Sequence, residues 1–313
     1  MKGKRYLVTG GAGFIGSHMV QGLLVRGAAA TVLDNFCTGK RDNLNGMTGD
    51  LRIVEGSITD PKAVATACEG VSGIVHLAAL PSVTRSVEEP VFSHENNVTG
   101  AVVVLDEARR KGIKVVYAGS SSAYGDQDLE FKVETLRESP LSPYAASKLA
   151  GELYCRAFSR VYGLPTVVTR FFNVFGPRQV PDSPYSGVVA AFCYALLKGK
   201  RPFIEGDGSQ SRDFTYVEDV VNGVLLAMDT PTTGCHTVNL ACGGSHTVKE
   251  LLDVLQRHAG TKVEPEMRPP RKGDVKHSKA DISAARALLG FAPKITFSEG
   301  LERTYDWYRS TQS

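Results

Sequence analysis

Through the first half of the chain, short runs of β-branched and apolar residues alternate with stretches whose apolar positions recur every three or four residues. The runs predict strands over Arg5–Thr9, Ala30–Asp34, Leu51–Glu55, Gly73–Ala78, Lys114–Ala118 and Thr166–Phe171. The amphipathic stretches predict helices over Phe14–Arg26, Pro61–Cys68, Pro90–Lys111 and Pro143–Tyr162. Such alternation implies right-handed crossovers and a parallel sheet covered by helices on both faces. Gly73–Ala79 is apolar nearly throughout, as a doubly buried strand requires. The expected fold class is α/β, a doubly wound parallel sheet.

After about Phe172 the pattern loosens. Pro177, Pro181, Pro184 and Pro202 punctuate it, and glycines cluster at 206, 208, 243 and 244. This predicts a division into residues 1–172, built on the sheet, and 173–313, a smaller loop-rich region closing over the sheet's C-terminal edge. Some of its segments, Phe214–Val217 for one, are expected to return to the sheet.

Composition narrows the function classes. With 313 residues, 42% hydrophobic and 22% charged, the chain can bury a core without staples. Thirty-six Lys and Arg against 33 Asp and Glu give no basic excess for nucleic acid. The six cysteines, at 37, 68, 155, 193, 235 and 242, form no C-x-x-C pair and read as reduced thiols of a cytoplasmic protein. No metal-ligand spacing stands out. Glycines from Gly10 onward break the N-terminal apolar run, so no signal peptide is expected. Apolar segments such as Val188–Leu197 are too short for a bilayer, so no membrane partner is expected.

The first predicted strand runs straight into Gly10-Gly11-Ala12-Gly13-Phe14-Ile15-Gly16 and then a helix. Glycines there permit a tight turn, close approach to a pyrophosphate and helix–strand packing, while the helix N-terminus offers free N–H groups. Asp34 ends the second strand 18 residues beyond Gly16, placed to accept a ribose 2′-hydroxyl hydrogen bond and repel a 2′-phosphate. Asn35 and Phe36 follow it rather than arginine. A Rossmann-like site for NAD, in preference to NADP, is the expectation.

Tyr144 and Lys148 stand at i and i+4 behind Ser142-Pro143, a helix cap followed by proline at the first helical position. A nearby ammonium lowers a phenol's pKa and makes it a usable base toward a hydroxyl. Tyr194 and Lys198 repeat the spacing, but the stretch reads as a plain amphipathic helix. The first pair is favoured by Ser120-Ser121-Ser122, at the C-terminal end of the fifth strand, the edge where open α/β sheets bind ligands.

Together these motifs resemble the extended short-chain dehydrogenases/reductases, specifically the NAD-dependent epimerase/dehydratase family that acts on nucleotide sugars. The resemblance spans nearly the whole chain: Thr9–Gly16, Asp34-Asn35, Gly56-Ser57-Ile58, His76–Ala79, Asn96–Gly100, Ser120–Gly125, Tyr144/Lys148, Arg170–Arg178, Gly206–Asp219 and Arg271–Asp274. It implies Ser120, Tyr144 and Lys148 as catalytic residues. It implies an NAD site formed by Gly10, Gly13, Phe14, Ile15, Gly16, Asp34, Asn35, Ser57, Ile58, Leu77, Ala78, Ala79, Asn96, Phe171, Tyr144 and Lys148. Ser57 departs from the acidic residue common at its position. It further implies that Asn173, Arg178, Gln210, Arg212, Arg271 and Asp274, with Ser120–Ser122, hold a UDP-sugar. Two arginines suit a diphosphate on physical grounds as well.

The loop after Ser120 bears on the reaction. Dehydratases and decarboxylases of the family resemble one another in carrying a carboxylate there; this chain has Ser121 and Ser122. Oxidation followed by re-reduction, hence C4 epimerisation with tightly bound NAD, is the implied chemistry. Ser278 stands where a larger residue restricts the space at C2, so N-acetylhexosamines are admitted beside glucose and galactose. UDP-glucuronate remains an alternative, followed by dehydratase or decarboxylase chemistry and then a non-catalytic NAD sensor. Apolar stretches on the helices near 91–111 and 143–162 imply a homodimer, as in the family.

Overall fold

The computed structural model describes residues 1–127, 129–181, 187–269 and 276–311. Seven parallel strands form its central sheet: β1 (Arg5–Thr9), β2 (Ala29–Asp34), β3 (Leu51–Glu55), β4 (Gly73–His76), β5 (Lys114–Ser120), β6 (Thr166–Phe171) and β7 (Cys235–Leu240). Their spatial order is β3-β2-β1-β4-β5-β6-β7. The order reverses between β1 and β4, so the crevice for a dinucleotide opens there, off the C-terminal ends of the strands.

Helices cover both faces. On one, Phe14–Val25 packs against Val217–Asp229, joining a core that includes Val8, Val32, Leu23, Val221 and Leu225. On the other, Gly100–Lys111 and Pro143–Tyr162 bury Leu7, Ile74, Leu105, Tyr117 and Cys155. The long Pro143–Tyr162 helix lies unusually close to β5: a Cβ on Gly151 would sit 2.1 Å from the Tyr117 hydroxyl. Only a residue without a side chain allows that approach, which sets the height of the helix above the sheet.

Three differences from the pattern-based expectations have local causes. β4 stops at His76: the Leu77 N–H is shared between the Thr9 carbonyl and hydroxyl, and the Ala78 N–H turns to the hydroxyl, each at 3.2 Å. The single helix expected from Pro90 contains a π-helical turn, Glu95–Thr99, before Gly100–Lys111. The strand that returns from the C-terminal half is Cys235–Leu240, paired along β6. Phe214–Val217 lies outside the main sheet; Thr215–Tyr216 pairs with Val174–Phe175 instead. Among the described residues no helix is long and apolar enough to cross a membrane.

Candidate active site

The glycine turn is held by backbone bonds. Gly10 N–H donates to Leu33 (2.8 Å) and Gly13 N–H to the Gly10 carbonyl (3.1 Å). Gly10 has φ +68°, and a Cβ on it would lie 2.8 Å from Ala78 backbone atoms. A Cβ on Gly16 would lie 2.0 Å from the Gly10 carbonyl oxygen. Helix Phe14–Val25 has no side-chain cap and no acidic residue in its first turn, so its N-terminal N–H groups and partial positive charge face the crevice. Asp34, buried at the end of β2, accepts from Ala12 N–H (2.9 Å) and Phe36 N–H (2.8 Å), each oxygen keeping a lone pair for a further donor. Ser57 and Ile58 follow β3 beside it; the Ser57 and Thr59 hydroxyls are 2.7 Å apart.

Across the switch point, Thr9 does three jobs. Its oxygen accepts the two N–H groups after β4, so its one hydrogen is donated to His76 Nδ1 at 2.7 Å. Burial, and secondarily the Lys148 charge, depress the His76 imidazole to about 3. Neutral His76 thus bolts Leu77 and Ala78 beside the glycine turn. Asn97, brought inside by the π turn, adds a second bolt: it accepts from Leu80 N–H (2.7 Å) and donates to Ser147 on the long helix (3.0 Å). Its neighbour Asn96 is half-buried and donates to Phe92.

Ser142 caps the long helix by accepting Ala145 N–H, with Pro143 at the first position. Tyr144 and Lys148 therefore project from one face toward β5. The Tyr144 phenol is raised above 10 by burial and pulled back by a hydrogen bond with Ser120. The Lys148 ammonium sits 4.5 Å from the Tyr117 ring centroid, and burial depresses it to about 8. Ser120 accepts Ser122 N–H (3.2 Å) and shares a 2.8 Å hydrogen bond with the Ser122 hydroxyl. Phe171 pairs with Ser120 across the sheet, so both end at the same level.

Beyond Phe171 the chain bends through Asn173, φ +34°, which donates to the Asp213 carbonyl at 3.2 Å. A cavity of about 180 Å³ opens beside it, lined in part by Phe192, Phe203, Gln210, Arg212, Phe214 and Val248. Gln210 donates to Glu205, and Arg212 to the Ser211 and Lys276 carbonyls. Ser278, buried, pairs with Arg212 in a small sheet. Asp213 behind them accepts three backbone N–H groups, from Cys242, Gly243 and Ala280. A second cavity of about 200 Å³ lies on the other side of Asp213 and Phe214 and contains none of the expected site residues.

The expected residues thus fall along one edge, with two exceptions. Arg178, in left-handed backbone, donates to Gln21 on the first helix and is absent from the cavity wall. Arg271 and Asp274 lie outside the described residues. Thr9, His76 and Asn97 lie within motifs singled out in the sequence, but without the bracing roles seen here; the aromatic wall of Phe192 and Phe214 was missed. A histidine inside an otherwise apolar strand end was the available signal for the Thr9–His76 brace.

A sequence profile of the NAD-dependent epimerase/dehydratase family matches residues 6–241. The chain belongs to that family. The UDP-glucose 4-epimerase of Mycolicibacterium smegmatis is 38% identical over 311 residues, covering 98% of this chain and 99% of the relative. Among solved structures, a UDP-N-acetylglucosamine 4-epimerase from Methanobrevibacter ruminantium M1, in complex with UDP-N-acetylmuramic acid, superposes with a TM-score of 0.95 at 37% identity, covering 99% and 100% of the two chains. The Thermus thermophilus UDP-glucose 4-epimerase complex with NAD gives 0.88 at 38% identity, covering 97% and 99%. NAD is the cofactor of this epimerase/dehydratase, and the side-chain-free cradle at Gly10, Gly13 and Gly16 fits its pyrophosphate.

Proposed function

We propose that the protein interconverts the C4 epimers of a UDP-hexose, UDP-glucose and UDP-galactose foremost, with N-acetylhexosamine forms admitted by the small Ser278. The observation that carries this is the placement of Ser120 at the end of β5 under the helix that presents Tyr144 and Lys148 on one face, between the strand that leads into the glycine cradle and the strand that leads to Asn173.

Gly10, Gly13, Phe14, Ile15, Gly16, Asp34, Asn35, Ser57, Ile58, Leu77–Ala79, Asn96 and Phe171 are the residues we assign to NAD, with Tyr144 and Lys148. When bound, NAD supplies reversible hydride acceptance at C4. Tyr144, as phenolate, takes the proton from O4 and later returns it, with Ser120 orienting the hydroxyl. The Lys148 ammonium opposes the burial that otherwise raises the Tyr144 phenol, and so favours the phenolate. Asn173, Gln210 and Arg212, with Arg271 and Asp274, hold the nucleoside diphosphate while the sugar turns over between the two half-reactions. Ser121 and Ser122 present hydroxyls where elimination or decarboxylation needs an acid, which supports epimerisation. Arg178, held against the first helix by Gln21, serves loop geometry rather than sugar contact.

We further propose a homodimer built on the two long helices. Val83, Val87, Val91 and Phe92 are exposed near one, Leu153, Val161 and Tyr162 on the other, an apolar surface of the kind that pairs. Six free thiols support a reducing, cytoplasmic setting.

The test is to incubate purified protein, with no added NAD, with UDP-glucose, UDP-N-acetylglucosamine or UDP-glucuronate and follow products by proton NMR. A C4 epimer is expected with the first, and Tyr144→Phe should lower turnover about 10²–10⁴-fold. An accumulating keto sugar, or a pentose with loss of carbon dioxide, overturns the reading.

A further inference from the structure

Tyr144 and Lys148 continue along their helix to a third residue at the same spacing, Glu152, which is completely buried. Its carboxylate meets Arg170, also completely buried, in a forked contact: Nε at 3.1 and 3.3 Å and Nη2 at 2.7 Å. Arg170 sits on β6 directly beside Gly119, the residue before Ser120. A Cβ on Gly119 would lie 2.7 Å from Glu152 Oε1. The carboxylate therefore occupies the space that a side chain on the Ser120 strand would otherwise fill.

Arg170 has two further attachments. Its Nη2 donates to Glu138 at 2.8 Å, in the segment leading into the catalytic helix, where Arg156 also binds. Its guanidinium lies 4.5 Å from the ring centroid of Tyr124, which closes the turn carrying Ser121 and Ser122. One cation thus ties together the strand and turn bearing Ser120, the approach to the helix, and the helix bearing Tyr144 and Lys148. Buried ion pairs add little net stability over apolar packing of equal volume, so position and charge are what this one contributes.

We propose that Glu152, held by Arg170, is a positioning residue that keeps Lys148 protonated and aligned beneath the Ser120–Tyr144 pair. The groups facing Lys148 are Tyr144, Glu152 and Cys155 on its own helix, Tyr117 on β5 and His76 on β4. Of these only Glu152 is a carboxylate, ion-paired with Arg170 at 2.7 Å; burial holds the Cys155 thiol and the Tyr117 phenol well above their usual values. Burial drives Lys148 toward neutrality and Glu152 opposes it.

The direct test titrates Lys148 by the ¹³Cε resonance of lysine-labelled protein, assigned against Lys148→Arg; Lys114, also depressed to about 8, is told apart in the same way. Glu152→Gln removes the attraction and leaves Arg170 uncompensated, so the Lys148 midpoint should fall by about one pH unit. In Glu152→Gln/Arg170→Met neither charge remains, and the midpoint should recover part of the way. The alkaline limb of kcat should follow, with KM little changed. A purely structural role predicts the reverse ranking, the double variant worse than the single.

An unchanged midpoint in the single variant, or one in the double variant below that of the single, overturns the proposal. If circular dichroism shows Glu152→Gln unfolded, the double variant decides, its midpoint having to lie below wild type; unfolding of both reduces the pair to a stability role and also overturns it. The consequence for kcat rests on the epimerase reading, whereas the titration needs no turnover. A chain inactive on UDP-sugars would therefore overturn that reading separately.

Discussion

Gly16 is the position where one methyl group should cost the most. In Gly16→Ala the new Cβ would stand 2.0 Å from the Gly10 carbonyl oxygen and 2.8 Å from Gly10 C and Gly11 Cα, all backbone atoms. Real contacts need at least 3.0 Å, so the turn must retreat by about 1 Å. Gly10 has little room to do so, pinned by its 2.8 Å bond to Leu33 and its contact with Ala78. A retreat of about 1 Å takes a backbone N–H out of hydrogen-bond reach of the pyrophosphate, which costs about 1.5–3 kcal/mol, roughly 10- to 150-fold in NAD affinity. Overpacking should remove a further 1–3 kcal/mol or so of folding stability. Calorimetric titration with NAD of protein freed of nucleotide reads the first, and urea unfolding the second. Gly244→Ala is the control, since its nearest neighbour would be 3.8 Å away. NAD affinity in Gly16→Ala equal to that in Gly244→Ala would refute the cradle argument.

Two further outcomes are expected. The His76 imidazole, ordinarily 6.5, is held at about 3 in the fold, so below pH 6.5 the unfolded chain binds a proton that the folded chain refuses. Stability attributable to this group is complete above 6.5 and falls as pH drops toward 3, by about 2 kcal/mol at pH 5. Urea unfolding at pH 7 and pH 5 should show that loss in wild type and a smaller one in His76→Asn; equal losses would refute it. Light scattering should give wild type at twice the 33.7 kDa chain mass and Val91→Glu/Val161→Glu at the single mass, whereas a wild-type particle of single mass would remove the dimer.

Six of the seven sheet strands were legible because doubly buried parallel strands are written as continuous apolar runs. β7 was not: Cys235-His-Thr-Val-Asn-Leu240 carries His236 and Asn239. Asn239 is nevertheless completely buried, accepting from the Tyr124 hydroxyl at 2.6 Å and donating through its amide to Lys132 and Asp281. Its polarity serves partners more than 40 residues away in sequence, which no local pattern reveals. The glycine turn and the Tyr144/Lys148 pair were legible because their chemistry is local in spacing. Glu152 and Arg170, 18 residues apart, are joined only by the helix returning over the sheet. Arg178 shared a motif with Asn173, yet its left-handed backbone, φ +69°, turns it to the first helix.

The late arrival of β7 also shapes how the chain emerges from the ribosome. β6 ends at Phe171 and its outer neighbour is complete only at Leu240. At usual rates of synthesis that interval lasts about 3–14 s. Throughout it, Thr166-Val-Val-Thr-Arg-Phe171 is an open sheet edge, a template for pairing with another nascent chain. Arg170 interrupts that apolar edge with a charge, the kind of residue that lowers an edge's tendency to pair with a foreign strand. Glu152, translated before it, compensates the buried charge once the helix has packed on the sheet. The charge beneath the catalytic residues therefore also breaks the apolar run of the edge while the sheet waits for its last strand.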